Sequence, residues 1–210
     1  QAVIAFSRGY HDVTDRFGLS QVGNILFEDI MKRNYERNGK GQEHLKILDY
    51  GCGYGRFGMR FSDVDREVIG VDTSDEAISE ALFGNHPHYG QFLPNCSFHR
   101  IESAKVPFVE DNSLDGAVAN FVLCTIKDDS EIVKIGKEIR RMLKPGAPLV
   151  LCDPHPNSIG KDYVSFKRET IENLTSRVSV AVRFSGIPNT FYDYWRGKND
   201  YLALLKEAGY

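Results

Sequence analysis

Ile47-Leu48-Asp49-Tyr50-Gly51-Cys52-Gly53-Tyr54-Gly55-Arg56-Phe57-Gly58 is the stretch from which the rest of the chain can be read. The apolar pair Ile47-Leu48 has the character of a buried parallel strand. It ends at an acid and runs into glycines on alternate positions, Gly51, Gly53 and Gly55. Lacking a Cβ, glycine takes positive φ and lets a ligand lie against main chain, so a binding loop is expected here. The spacing departs from the dinucleotide fingerprint G-x-G-x-x-G, because Arg56 stands where its third glycine would fall. A carboxylate at the strand end, Asp49, would repel a pyrophosphate and favours a ligand with an amine or another positive charge. Further on, Asp72 closes a second apolar run of Val68, Ile69 and Val71, placed to accept both hydroxyls of a ribose.

A ribose-bearing ligand with a cationic end and no phosphate describes S-adenosylmethionine. At these residues the sequence resembles the class I S-adenosylmethionine-dependent methyltransferase family, and the resemblance continues in order over residues 45–152. Residues 102–108 look like the segment after the third strand that reads adenine, although the family commonly has Asp where this chain has Glu102. Residues 114–123 resemble the fourth strand and its cofactor-facing end, and residues 138–147 the helix and turn before the fifth. The resemblance implies that S-adenosylmethionine, leaving as S-adenosylhomocysteine, is held by several groups in turn. Asp49, Tyr50, Gly51, Cys52, Gly53 and Gly55 would meet its amino-acid part, and Asp72 and Thr73 would lie at the end of the second strand. Glu102 and Ser103 would lie near adenine, with Asn120, Phe121 and Val122 after the fourth strand.

The 210 residues suit one domain with a sizeable core, and a net charge of -3 gives no general attraction to a polyanion. Lys32, Arg33, Arg37 and Lys40 cluster, but among polar residues on a predicted helix they read as a solvated face. Cys52, Cys96, Cys124 and Cys152 stand far apart with no C-x-x-C pair, as expected of reduced thiols in a cytoplasmic protein. No apolar run is long enough to span a bilayer and no signal-peptide pattern opens the chain, so no membrane or nucleic-acid partner is expected. The first residue is Gln, which suggests that the natural N-terminus lies further upstream.

Elements follow from periodicity. A helix is expected from Ser20 to about Arg37, with Val22, Ile25, Leu26 and Ile30 as its apolar face. Thr73 and Glu76 have capping-box spacing ahead of a helix that carries Ala77, Ile78, Ala81 and Leu82. Asp128 and Ser130 open another, with Ile132, Ile135, Ile139 and Met142 on one face and Pro145-Gly146 at its end. A fifth strand, residues 148–152, reads as a central parallel one. The resulting expectation is a doubly wound, mostly parallel Rossmann-like α/β sheet with helices on both faces and ligands at the strand carboxyl ends. Residues 1–44 would form an N-terminal lid and helix, and residues 45–210 the core, with a substrate-covering insert at about 153–197. Asn199 is expected to cap a final helix. The family's C-terminal hairpin is absent before Tyr210, so either the chain continues or the sheet lacks two strands.

Methyl transfer from a sulfonium by in-line displacement demands alignment, and for a protonated nucleophile a base. His155, between two prolines after the fifth strand, is the first candidate, with loop packing as its alternative. Asp153 comes second, since an acid there can equally cap backbone N–H groups. Tyr192, Tyr194 and Trp195, beside Phe191, offer aromatic walls for an acceptor or a plain cover for the sheet. Tyr10, near His11, is a further candidate to face the pocket. His86 and His88 form an H-x-H spacing with no third ligand in view, so no metal is expected. Asn120 lacks the prolines of nucleobase amino-methyltransferases, and Cys124 lacks the preceding proline of cytosine C5 enzymes. A small-molecule acceptor is therefore favoured. An NAD(P)-dependent oxidoreductase and a non-catalytic cofactor-binding module remain as alternatives.

Overall fold

The computed structural model describes residues 19–38, 44–62, 65–83, 95–154, 159–160, 162, 166–171, 178–184, 188 and 190–210. Tyr10, His11, His86, His88 and His155 lie outside them. Among the described residues the chain runs α1 (Leu19–Asn38), β1 (Leu45–Tyr50), α2 (Arg56–Phe61), β2 (Arg66–Asp72), α3 (Asp75–Phe83), β3 (Cys96–Arg100) and β4 (Gly116–Asn120). A 3₁₀ turn (Leu123–Thr125) leads to α4 (Asp129–Met142) and β5 (Leu149–Cys152). Then come β6 (Phe166–Arg168), β7 (Val178–Phe184), β8 (Thr190–Trp195) and α5 (Lys198–Glu207).

Five strands form a parallel sheet in the order β3-β2-β1-β4-β5. The chain therefore winds outward from β1 in both directions, and the gap between β1 and β4 is the switch point at which open α/β sheets leave room for a ligand. On one face Leu45 and Ile47 of β1 and Val68 of β2 pack with Phe27, Met31, Phe57 and Phe61. The three rings pack at centroid distances of 5.1–5.2 Å. On the other parity Leu48, Ile69, Val71, Ala117 and Ala119 are buried too, so both faces of the sheet are covered. Full burial explains why these strands read as apolar runs rather than as alternating ones.

Several local expectations are corrected. Among the described side chains of α1, Phe27 and Met31 are buried, whereas Ile25, Leu26 and Ile30 are exposed; Val22 lies outside them. Two adjacent apolar stripes compete on this helix, and the one carrying the large ring wins because Phe57 and Phe61 receive it. The opposite side carries i,i+4 pairs, Arg33–Asp29 and Lys32–Glu36, so these two members of the basic cluster are solvated. The cap of α3 is Ser74, whose Oγ accepts from Ala77 N–H at 3.2 Å, and not Thr73, which is exposed. Helix α5 starts after Gly197, with the Asp200 carboxylate accepting Gly197 N–H at 3.0 Å, so Asn199 already lies inside the first turn. Among the described residues β5 is an edge strand, paired to β4 alone.

The chain divides into two compact units. One comprises residues 20–120 and 138–152 and holds the parallel sheet. The other comprises residues 1–19, 121–137 and 153–210 and holds an antiparallel sheet, β6-β7-β8, with α5. Within the first of these units α1 contributes Phe27 and Met31 to the sheet's own core.

Candidate functional site

The loop between β1 and α2 is shaped by its glycines. Gly51, Gly53 and Gly55 have φ of 74°, 52° and 74°. Gly51 and Cys52 N–H both donate to Val71 O, at 2.8 and 2.9 Å, drawing the loop over the end of β2. A Cβ at Gly55 would sit 2.3 Å from the Phe98 ring, so this glycine is required by packing as well as by φ. At Gly53 a Cβ would meet nothing within 4 Å. There the glycine leaves open space over bare main chain, the arrangement a flat or bulky ligand needs.

Two acids flank that space. Asp72 accepts Gly53 N–H on Oδ2 and Ser74 N–H on Oδ1, both at 2.9 Å, which fixes the carboxylate at the carboxyl end of β2. A carboxylate has about four acceptor sites, so each oxygen keeps capacity for a further donor. Asp49 is 3% exposed, and its Oδ2 is buried with no hydrogen-bond partner. Burial pushes its pKa up to about 8, Asp72 adds to the rise, and Arg56 opposes it. A buried acceptor without a donor at the end of a central strand calls for a ligand group that supplies one.

Around these acids the other expected contacts take distinct places. Tyr50 is buried and its hydroxyl donates to Ala104 O at 3.4 Å, reaching the segment after β3. Burial first, then Asp49 and Asp72, push the Cys52 thiol well up, so it stays protonated. Glu102 has an 84% exposed side chain paired with Arg100 at 3.4 Å, and Ser103 Oγ accepts Lys105 N–H at 3.3 Å. Asn120 carries a buried Oδ1 without a partner. Phe121 follows with a φ of 57°, rare for an aromatic residue, and Val122 leads into the 3₁₀ turn. In the other unit Tyr194 and Trp195 line a narrow cleft with Cys124, Arg168, Asp193 and Tyr201, while Tyr192 is 57% exposed. That cleft went unseen in the sequence, because Arg168 and Asp193 are 25 residues apart and show no spacing signal. A separate open depression, lined by His44, Asp65, Arg66, Glu67 and Asn95, lies at the amino ends of the strands, away from all of these groups.

Comparison with known proteins decides the family. The description of a methyltransferase domain matches residues 42–209, most of the chain. The chain belongs to the class I S-adenosylmethionine-dependent methyltransferases. This methyltransferase is 30% identical over 169 residues to N-demethylindolmycin N-methyltransferase of Streptomyces griseus, covering 78% of this chain and 68% of that one. To 2-phytyl-1,4-naphtoquinone methyltransferase of Trichormus variabilis it is 32% identical over 131 residues, covering 60% and 54%. Against the curated relatives it matches, the chain spans between 31% and 68% of their length. DesVI of Streptomyces venezuelae shares the fold with a TM-score of 0.66 over 95% of this chain and 89% of that one, at 17% identity.

The glycine-loop residues are compatible with the family's cofactor. Asp49 Oδ2 lacks a donor, the space over Gly53 is open, and Asp72 is oriented by two amides. Among the described residues no group of three or more acidic, His or Cys side chains is arranged for a metal, and no helix is long and apolar enough to cross a membrane.

Proposed function

We propose that this methyltransferase moves a methyl group from S-adenosylmethionine to a small-molecule acceptor by in-line displacement. In this reading the loop of Tyr50, Gly51, Cys52, Gly53 and Gly55 passes under the amino-acid part of the cofactor, with Asp49 answering its ammonium. Asp72 takes the ribose hydroxyls, with Thr73 beside them. The segment from Glu102 and Ser103 borders the adenine, and Asn120, Phe121 and Val122 lie at the reacting end. When bound, the cofactor supplies an activated methyl group. The chain's part is to hold it, exclude water and align the acceptor.

The observation that carries this reading is the unpartnered Asp49 oxygen at the end of β1, across an open glycine from a carboxylate fixed at the end of β2. A nicotinamide dinucleotide fits less well, because its pyrophosphate would meet Asp49 and would find Arg56 in place of the third glycine. A small acceptor is supported by relatives named for N-demethylindolmycin and 2-phytyl-1,4-naphtoquinone, and by the chain's acidic charge balance.

The test is thermal shift with S-adenosylhomocysteine and with NAD. At about 100 times its Kd a ligand stabilises the fold by about 2.7 kcal/mol. S-adenosylhomocysteine is expected to raise Tm, NAD to leave it unmoved, and Asp72→Ala to abolish the shift. A shift with NAD alone would end the proposal.

A further inference from the structure

The crossover from β3 to β4, residues 101–115, contains no helix, although Ile101, Ala104, Val106 and Val109 within it are buried. Buried main chain without a helix has to find its hydrogen bonds elsewhere. Ile101 N–H donates to Asp72 O at 2.9 Å, which ties the start of the crossover to the residue whose carboxylate closes β2. Tyr50, beside the first glycine of the loop, donates its hydroxyl to Ala104 O at 3.4 Å. From there α4 takes over. Glu138 Oε1 accepts Val106 N–H at 2.9 Å, and Arg141 donates from Nη2 to Val106 O at 3.2 Å and from Nη1 to Val109 O at 2.9 Å. All of these residues belong to the unit that holds the parallel sheet.

The hold exerted from α4 is a closed set of bonds. Glu138 is 2% exposed, and both of its oxygens are doubly engaged, Oε1 by Val106 N–H and Arg141 Nη2, Oε2 by Lys105 Nζ and Arg141 Nε. A carboxylate has about four acceptor sites, so this one is full, and the guanidinium fork fixes its plane. The side chains ahead of this grip offer a base far less. Glu102 is 84% exposed and paired with Arg100, and an exposed ion pair discriminates weakly. Ser103 Oγ already accepts Lys105 N–H. What stays open is main chain: among the described residues no group answers the N–H and C=O of Glu102 and Ser103. They stand between the tie to Asp72 and the tie to Tyr50.

We propose that Glu138 and Arg141 are positioning residues for cofactor recognition: by fixing the crossover they make the open main chain of Glu102 and Ser103 selective for adenine over other purines. This rests on the methyltransferase reading, in which Asp72 takes the ribose and the crossover borders the base. Adenine presents an acceptor ring nitrogen beside a donor amino group, the complement of a main-chain N–H and C=O. Hypoxanthine presents a ring N–H beside a carbonyl and mismatches both. A main chain held still enforces that difference, whereas one released from α4 shifts to suit either edge. Neither Glu138 nor Arg141 touches the base in this account, and both act through Val106 and Val109.

Wild-type protein, Glu138→Gln and Arg141→Lys, each checked for folding by circular dichroism, are titrated by calorimetry with S-adenosylhomocysteine and with S-inosylhomocysteine. The two ligands differ only at the base edge. The wild type is expected to prefer the adenine ligand by at least about a hundredfold, since a mismatched edge leaves polar groups unpaired. Each variant should reduce that preference by about tenfold, chiefly by weakening the adenine ligand. Arg141→Lys keeps a cation beside Glu138 while giving up the fork, so it is the milder change and decides the matter if Glu138→Gln does not fold. A merely structural role predicts a different result, because a loosened protein loses both ligands by the same factor. An unchanged ratio in a folded variant, or a wild type that binds the two ligands alike, would overturn the inference and leave the function standing. A wild type that binds neither would strike the methyltransferase reading itself, and this inference with it.

Discussion

Burying the Asp49 carboxyl beside Asp72 costs the free protein stability, and the sign follows from the direction of its shift. Its folded pKa, about 8, lies above the ordinary 3.8, so the native state holds the proton more tightly than the unfolded chain does. The stabilisation is complete below 3.8 and is lost as pH rises through 8. Asp49→Asn should therefore raise the Tm of the ligand-free protein at pH 8, by about 2–4 °C for each kcal/mol regained. The same change should weaken S-adenosylmethionine binding by about tenfold or more, because the ammonium loses its counter-charge. Calorimetry of the wild type in two buffers of different ionisation enthalpy gives an independent reading. A cation beside Asp49 drives its proton off, so binding at pH 7 should release protons. Binding without proton release would place the cation elsewhere. The acid beside the glycines was legible in the sequence because these residues are adjacent there. The unpartnered oxygen was not, since burial depends on strands that meet only in the fold.

At the level of elements, the β-α alternation and the strand carboxyl ends could be read directly, whereas the face of α1 could not. Periodicity marks apolar stripes but does not rank neighbouring ones, and Phe27 is selected by rings 30 and more residues away that it packs against at 5.2 and 5.1 Å. The same limit hid the role of Glu138, visible in the sequence only as part of a helix before β5. It is 2% exposed, accepts Val106 N–H at 2.9 Å and Lys105 Nζ at 3.0 Å, and is gripped by Arg141 at 2.8 Å. Arg141 in turn donates to Val109 and Val106 carbonyls, so two residues of α4 staple the segment after β3. Burial works against ionisation of Glu138, but Arg141, the Val106 amide and Lys105 outweigh it and hold the pKa at about 2. A depressed carboxylate contributes stability that is present above 4.5 and lost as pH falls toward 2. Glu138→Gln should cost less than the roughly 3–5 kcal/mol of a fully buried pair, because Arg141 keeps Asp111 and reaches solvent. Urea unfolding at pH 7 should show this loss, and the variant and wild type should converge toward pH 2. A gap that persists at pH 2 would mean that packing, not charge, accounts for it.

For the whole molecule the informative fact is how the chain is shared between its two units. It passes from one to the other after residues 19, 120, 137 and 152, and the third passage falls inside α4. The unit with the glycine loop needs β4 and β5, and each of those strands is followed at once by a segment of the other unit. A helix gains its stability cooperatively, one bond for each residue fixed, so fraying α4 in one unit removes turns that the other depends on. Neither unit is a continuous piece that could be released with its hydrogen bonds intact. Unfolding should therefore be a single transition. Trp195 fluorescence reports the unit of β8, and far-UV circular dichroism is dominated by the larger unit with the parallel sheet. The two melting curves should coincide, and S-adenosylhomocysteine, although expected to bind through Asp49 and Asp72, should move both by the same amount. Curves that separate, with the fluorescence transition unmoved by the ligand, would show that the passage through α4 does not couple the units.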